Sequence, residues 1–547
     1  MQRKYHWHLY LILRELLILF IALLPLKMAI DVKPACHVSE STGEEPEAGS
    51  RDTTYDPDTL RSLGYVPKLK RNRSLLTLLA QSLAIATVPY GEGGPLLSAI
   101  YGGGPLAIFI GWLVVLVLDQ CVALSLGELV SRYPTSAGPY YWTFQLSKKH
   151  KFLLSFINGW VWLVGTWTIT LSVNFGFAGI INATVSMYHP GWSASNWQLL
   201  LIFYFLCILV FTICAFGNRY LPKVDMICAT CTAIVIIVVL VALFIKTGIR
   251  RHSISYALAH YDTTLSGWGR FSFCIGLLPA AYTFSALGMI SSMAEEVSNP
   301  SITVPKAVSL CIPIAGTAGL LFILPICFTL PPLLDIINNS PGGQALPYVF
   351  SIVMDSANGG LALMVLIFIL VLLCDISVTV AASRTTWAFA RDEAIPMSNI
   401  WARIDDRFGT PLNALTLLTG VQMLLGPINL GSTSTFTAFV SVGVIALAVS
   451  YAIPIGISLY YKRSEVRQAK WNCGPLLGLV SNIVALIWIS FELVLFSMPT
   501  VLPVTPVSMN YSSVVFIGLL VICAVWYFLH GKKSKSPPLN AAEIPGY

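Results

Sequence analysis

Charge is what this sequence has least of. Acidic and basic residues together make up 11% of 547 residues, against about 25% in an ordinary soluble domain. So little charge over so long a chain cannot present a polar surface to water on every side, which excludes a soluble globular protein. The apolar share, 56%, points to the bilayer as the solvent. Metal-ligand spacing is missing too. The eight histidines form none, and Cys228 and Cys231 stand in CxxC spacing within a helix-like stretch, 224–246, where cysteine is a small apolar residue. A catalytic constellation is also missing, with no clustered Cys and His and no Ser-His-Asp arrangement. The glycines of 91–104 follow no strand and so form no phosphate loop. No enzyme and no cofactor are expected. The net charge of +7 does not mark a nucleic-acid binder, because the basic residues fall in short clusters between apolar runs.

Those runs are what the sequence has in plenty. A crossing needs about 20 apolar residues, and about twelve runs qualify: 74–101, 105–127, 152–187, 197–217, 224–245, 272–294, 307–331, 359–389, 412–430, 434–461, 475–498 and 509–530. An earlier stretch, 9–30, is interrupted by Arg14 and Glu15. A charge at a helix centre costs about 2.5–3.5 kcal/mol on insertion, so neither a signal peptide nor a spanning helix is expected there. Residues 1–27 are read as an extension upstream of a start at Met28, and 31–73 as a disordered polar tail.

The connections test the count. Lys and Arg cluster before the first run (Lys68, Lys70, Arg71, Arg73), after the second (Arg132, Lys148, Lys149, Lys151) and after the fourth (Arg219, Lys223). They recur after the sixth (Lys306), the eighth (Arg391, Arg403, Arg407), the tenth (Lys462, Arg463, Arg467, Lys470) and the last (Lys532, Lys533, Lys535). The opposite connections, 188–196, 332–358, 431–433 and 499–508, have none, and only 246–271 breaks the alternation. The bias toward one side places both termini in the cytoplasm. Sequons at Asn338 and Asn510 fall on the external side.

Two runs carry breaks. Residues 88–95 hold two prolines and three glycines, a composition expected to unwind a helix. A weaker break follows Pro279, through Tyr282, Thr283, Phe284, Ser285 and Gly288. The breaks lie five runs apart. Transporters built from two inverted five-helix repeats break the first helix of each repeat, so that unwound backbone faces a substrate at mid-membrane. The plainer alternative is a proline-kinked helix with no ligand.

Three motifs follow even-numbered runs. The first holds Gly127, Glu128, Ser131, Arg132, Pro134, Ser136, Gly138, Pro139, Tyr140, Tyr141 and Trp142; the second Glu295, Glu296, Asn299, Pro300, Val304, Pro305 and Lys306; the third Ser383, Arg384, Trp387, Ala388, Arg391, Asp392, Ile395 and Pro396. With Leu63, Gly64, Tyr65 and the stretch 69–72 before the first run, they make the chain resemble the amino acid–polyamine–organocation transporters, specifically the fungal amino acid, GABA and choline permeases, over about 60–530.

The resemblance implies an all-α integral membrane fold of inverted five-plus-five repeats with broken helices one and six and two extra C-terminal helices. It divides the chain into a cytoplasmic tail (1–73), a transporter domain (74–530) and a second cytoplasmic tail (531–547). The function implied is secondary active transport of an amino acid or related amine, such as GABA, choline or a polyamine, by alternating access with a proton as coupling ion. The plasma membrane is the expected location, with an internal membrane as the alternative. A nutrient receptor on the same fold would call for a longer tail than 531–547.

By the same resemblance the substrate site falls at Tyr90, Gly91, Glu92 and Gly93, with Trp160, Tyr282, Phe284 and Ser285. A second alignment, through Gly103, Gly104 and Pro105, moves the break toward Thr87 and Tyr90. Glu92 would pair with a substrate ammonium or take the coupling proton, which favours amines. Its alternative place is an external vestibule. Phe284 takes the position of the family's aromatic lid, and Ser285 that of the glycine after it. Tyr90, Trp160, Trp162, Trp167 and Tyr282 are candidates to surround a cation. Asp119 and Asp375 are the other mid-run acids, and Asp375 would relay protons, bind a cation or make a structural polar contact. Glu128, Glu295 and Glu296, near Arg132, Lys306, Arg384 and Arg391, would form an inner gate or simply set the topology.

Overall fold

Lipid offers a backbone no hydrogen-bond partners, so apolar runs satisfy their own amides and carbonyls as helices. The computed structural model describes residues 60–531 apart from 62, 190, 193, 248–250, 406, 408, 432 and 507. Among these residues the regular structure is helical, with two isolated bridges, Arg73 to Val297 and Asp405 to Thr410. Expectations for 1–59 and 532–547, the start at Met28 included, lie outside the described residues.

Among the described residues, ten helices are long and apolar enough to cross a membrane. Of the twelve expected runs, only the first and ninth lack such a helix, because both are divided. The ninth is Leu412–Leu425 followed by Ile428–Gly431. The first is Leu75–Ala86, Val88–Gly93 and Leu96–Tyr101. Its break lies at Thr87, whose φ of 26° and ψ of 68° no helix accommodates. The expected unwinding of 88–95 is thereby corrected. Val88–Gly93 is a short helix between two kinks, because Pro89 falls in its first turn, where the missing N–H is not needed. The sixth span behaves alike. Leu278–Ser285 carries Pro279 in its first turn, turns at Ala286, and continues as a tightly wound 3₁₀ run, Leu287–Glu296. Such runs seldom exceed four residues.

The spans pair by a rule. The short helix of the first packs on Leu278–Ser285 of the sixth, the second on the seventh, the third on the eighth and the fourth on the ninth. These four each meet the span five places later, as two five-span repeats would; the third packs also on the tenth, and the fifth packs on the first, seventh and eighth. Where the breaks meet, a Cβ on Gly91 would stand 2.4 Å from the Thr283 hydroxyl, so only glycine allows this approach. Large apolar side chains face outward on the fourth, fifth and twelfth spans, among them Phe205, Ile237 and Ile522. Those faces meet lipid.

The polar stretch before the first span does not hang free where it is described. Tyr65 and Arg73 are buried against the bundle, and the Arg73 amide donates to the Glu296 carbonyl. A disordered tail extending to residue 73 is thus corrected for 60–73. Its tyrosine and arginine find acids and rings on other spans, which a reading of local composition does not reveal.

Candidate functional site

A cavity of about 550 Å³ enters the bundle from the end that carries 342–344 and 499–510. Its rim includes the exposed Gly343 and Met509. Its floor is Tyr90 from the first span, Ser172 from the third and Tyr282 from the sixth. The Tyr282 hydroxyl lies 2.8 Å from Ser172 Oγ, and the Tyr90 hydroxyl donates to the Val173 carbonyl at 3.5 Å. Tyr90, Gly94, Ser98 and Tyr101 fall on one face of the broken first span and line the cavity together. Gly176 makes room for the floor, since a Cβ there would stand 2.2 Å from the Tyr90 hydroxyl. Among the described residues, no Asp, Glu, Lys, Arg or His lines the cavity.

Of the residues expected at the site, Tyr90 and Tyr282 are brought together at this floor. The others lie elsewhere. Gly91 packs on Thr283 and Gly93 against Leu346. Glu92 is buried but outside the cavity wall. Two residues after Tyr90, a helix points some 200° away, so Glu92 cannot share the face of Tyr90. Phe284 packs at a tilt against Trp112, ring centroids 5.3 Å apart. With Ser285 it lines a separate cavity of about 20 Å³, shared with Asp119, Tyr451 and Glu492. Trp160 packs on Phe156 and Phe389 at the opposite end of the bundle. Trp162 lies against Tyr451, and Trp167 donates to Thr386 Oγ1, tying the third span to the eighth.

Asp375 sits behind the floor and is fully buried. Its Oδ1 accepts from Asn174 at 3.1 Å and from Thr379 at 3.4 Å, and Asn174 also donates to Gln422. These contacts join the third, eighth and ninth spans by their polar groups.

The far end is closed by ion pairs. Arg73 reaches Asp225 at 2.9 Å and Glu296 at 3.2 Å, and Arg384 reaches the other oxygen of Glu296 at 2.8 Å. Ser377 donates to Asp225 and Arg384 to Asn218, so every charge in the chain of four is paired. Arg391 pairs with Glu295 at 3.0 Å, lies 3.9 Å over the Tyr65 ring and borders Asp392, which accepts from Tyr65 and Tyr140. Burial holds the Asp392 carboxyl above the usual carboxylate range, against the pull of Arg391 and the two hydroxyls. Among the described residues, Glu128 forms an ion pair with none of the four bases expected around the gate acids. Glu128 takes Arg463 at 2.6 Å and the Cys473 amide, while Arg132 takes Glu465. Both contacts pin the loop between the tenth and eleventh spans under the second.

Sequence reasoning missed Arg73, Asp225 and Arg463 as partners, having used their region only for topology. It also missed Glu492. The signal for Glu492 was present, since it is the sole charged residue of run 475–498.

A family model described as amino acid permease matches residues 76–521. The chain is 32% identical over 521 residues to an uncharacterized amino-acid permease of Schizosaccharomyces pombe, covering 93% of each. It is 29% identical over 505 residues to the amino-acid permease BAT1 of Arabidopsis thaliana, 88% of this chain and 96% of that protein. Polyamine transporter TPO5 of Saccharomyces cerevisiae is 29% identical over 453 residues, 80% of this chain and 72% of the relative.

Proposed function

The chain belongs to the amino acid permease family, and from that premise we propose that it carries a small amino acid or monoamine across a membrane by alternating access, driven by protons. The observation that carries this reading is a cavity open at one end and closed at the other. It reaches the meeting point of the two broken spans at Tyr90 and Tyr282, and ion pairs seal the bundle beyond. With the basic connections in the cytoplasm, the cavity faces outward. A volume of about 550 Å³ suits a small organic ligand.

The walls also bear on the substrate class. A relative is named for polyamines, which carry several ammonium groups. No carboxylate lines this cavity to neutralise them. Tyr90, Phe175 and Tyr282 supply the wall with aromatic rings for one ammonium, each worth about 0.5–2 kcal/mol, and Ser98, Ser172 and Gln344 supply polar groups for a carboxylate. A zwitterion or a monoamine therefore fits better than a polyamine.

Uptake of labelled amino acids, GABA, choline and putrescine into permease-deficient yeast, with and without a protonophore, tests the reading. Accumulation of a zwitterion or monoamine that the protonophore abolishes is expected. Putrescine as the sole substrate, or no accumulation at all, overturns it.

A further inference from the structure

The small cavity behind the sixth-span break has two acids in its walls, one from the second span and one from the eleventh. Asp119 and Glu492 are each 6% exposed, and both line this water-sized space with Phe284, Ser285, Leu287 and Tyr451. Asp119 Oδ1 accepts from Trp488 Nε1 at 2.8 Å. Its Oδ2 is buried with no hydrogen-bond partner.

No cation answers them. Among the described residues, the titratable neighbours are Cys121 on the second span and Tyr451 on the tenth. The Tyr451 hydroxyl donates to the Ser285 carbonyl at 3.3 Å. The sixth span presents no titratable group to the space. Within its helix, the seventh span has Cys311, Cys327 and, at its ion-pair end, Lys306. At that same end Arg132 and Arg463 are engaged by Glu465 and Glu128. Two carboxylates across so small a gap, away from water and without a counter-charge, cannot both be ionised.

We propose that Asp119 and Glu492 form a proton-binding pair inside the membrane, and that this pair holds the coupling proton. One O–H bond forms, the pair passes from two negative charges to one, and the proton belongs to both residues together. A cavity of about 20 Å³ has room for one bridging water. The walls supply the link to movement. Phe284, Ser285 and Leu287 straddle the turn at Ala286, so rocking of the sixth span opens the space and lets water reach the pair, which then releases its proton. The proposal rests on the transport reading above.

Two measurements keep the two apart. Infrared difference spectra of the purified protein between acid and alkaline pH need no substrate. A protonated-carboxyl carbonyl band is expected, with one component weakened or displaced in both Asp119→Asn and Glu492→Gln, and displaced in Trp488→Phe, which removes a hydrogen bond but no acid. Persistence of the full band in both acid variants overturns the pair, whatever the substrate proves to be. In proteoliposomes, the acid variants are expected to keep substrate counterflow within about threefold of wild type. They should lose at least tenfold of pH-gradient-driven accumulation. Wild-type response of both variants to the pH gradient overturns the coupling role, as does accumulation that follows a sodium gradient instead.

Discussion

Tyr90 depends on a neighbour that contributes nothing but space. A Cβ at Gly176 would meet its hydroxyl at 2.2 Å and its ring carbon at 3.3 Å. Gly176→Ala is therefore expected to push the tyrosine off the cavity floor and cut uptake about tenfold or more, with the protein still present in the membrane. Tyr90→Phe in the same chain removes the clashing oxygen and should recover much of the loss. An uptake assay on the two single variants and the double checks this, and a double variant no better than Gly176→Ala would refute steric displacement. Glu92 teaches a related lesson. Its type and depth were readable from the sequence, but its direction was not, because the phase of a helix after a break depends on where the break falls. Thr87 took that role, where the second alignment through Gly103, Gly104 and Pro105 puts the break, although nothing in its own chemistry marks it over Pro89 or Gly91. Glu92 accordingly stands buried and off the cavity wall.

At the scale of elements, the ion-pair end holds spans that share no sequence neighbourhood. Arg73 precedes the first span, Asp225 stands in the fifth, Glu296 ends the sixth and Arg384 lies in the eighth. Breaking a buried pair by removing one partner costs about 3–5 kcal/mol. Arg73→Ala should destabilise the closed end by that order and shift the bundle toward opening there. A cysteine introduced at Ser291, buried on the 3₁₀ run, would then react faster with a thiol reagent applied from the cytoplasmic side. Arg73→Lys should fall between, since a single ammonium does not span two acids as a guanidinium does. Unchanged labelling in Arg73→Ala would mean that the network does not hold the gate. The motif residues Glu295, Glu296, Arg384 and Arg391 were legible as a cluster. Glu128 was legible only as a charge, because its partner Arg463 comes from a loop that folds back under the second span.

At the scale of the whole molecule, orientation is the testable property. Asn338 is exposed near the end of the short helix Leu333–Asn339 at the cavity end. Asn510, in a second sequon read as external, lines the cavity, and its amide donates to the Phe496 and Met498 carbonyls. If that end faces outward, glycan should attach at Asn338 and not at Asn510. A mobility shift on deglycosylation, abolished by Asn338→Gln and retained in Asn510→Gln, is expected. Reaction of a cysteine at Lys462 with an impermeant reagent on intact cells would instead mean the reverse orientation.

Composition, hydropathy and the spacing of Lys and Arg were enough to make this chain a multi-pass membrane protein with a basic side and two breaks. Each of those properties is additive along the chain, so each survives reading without neighbours. The tertiary structure decided which face each broken helix turns to the cavity. It also decided which acid meets which arginine, and that Asp119 and Glu492 share one small space. Those are pairings between distant spans, set by how the helices pack and by the rule that a charge inside the membrane needs a partner or a proton.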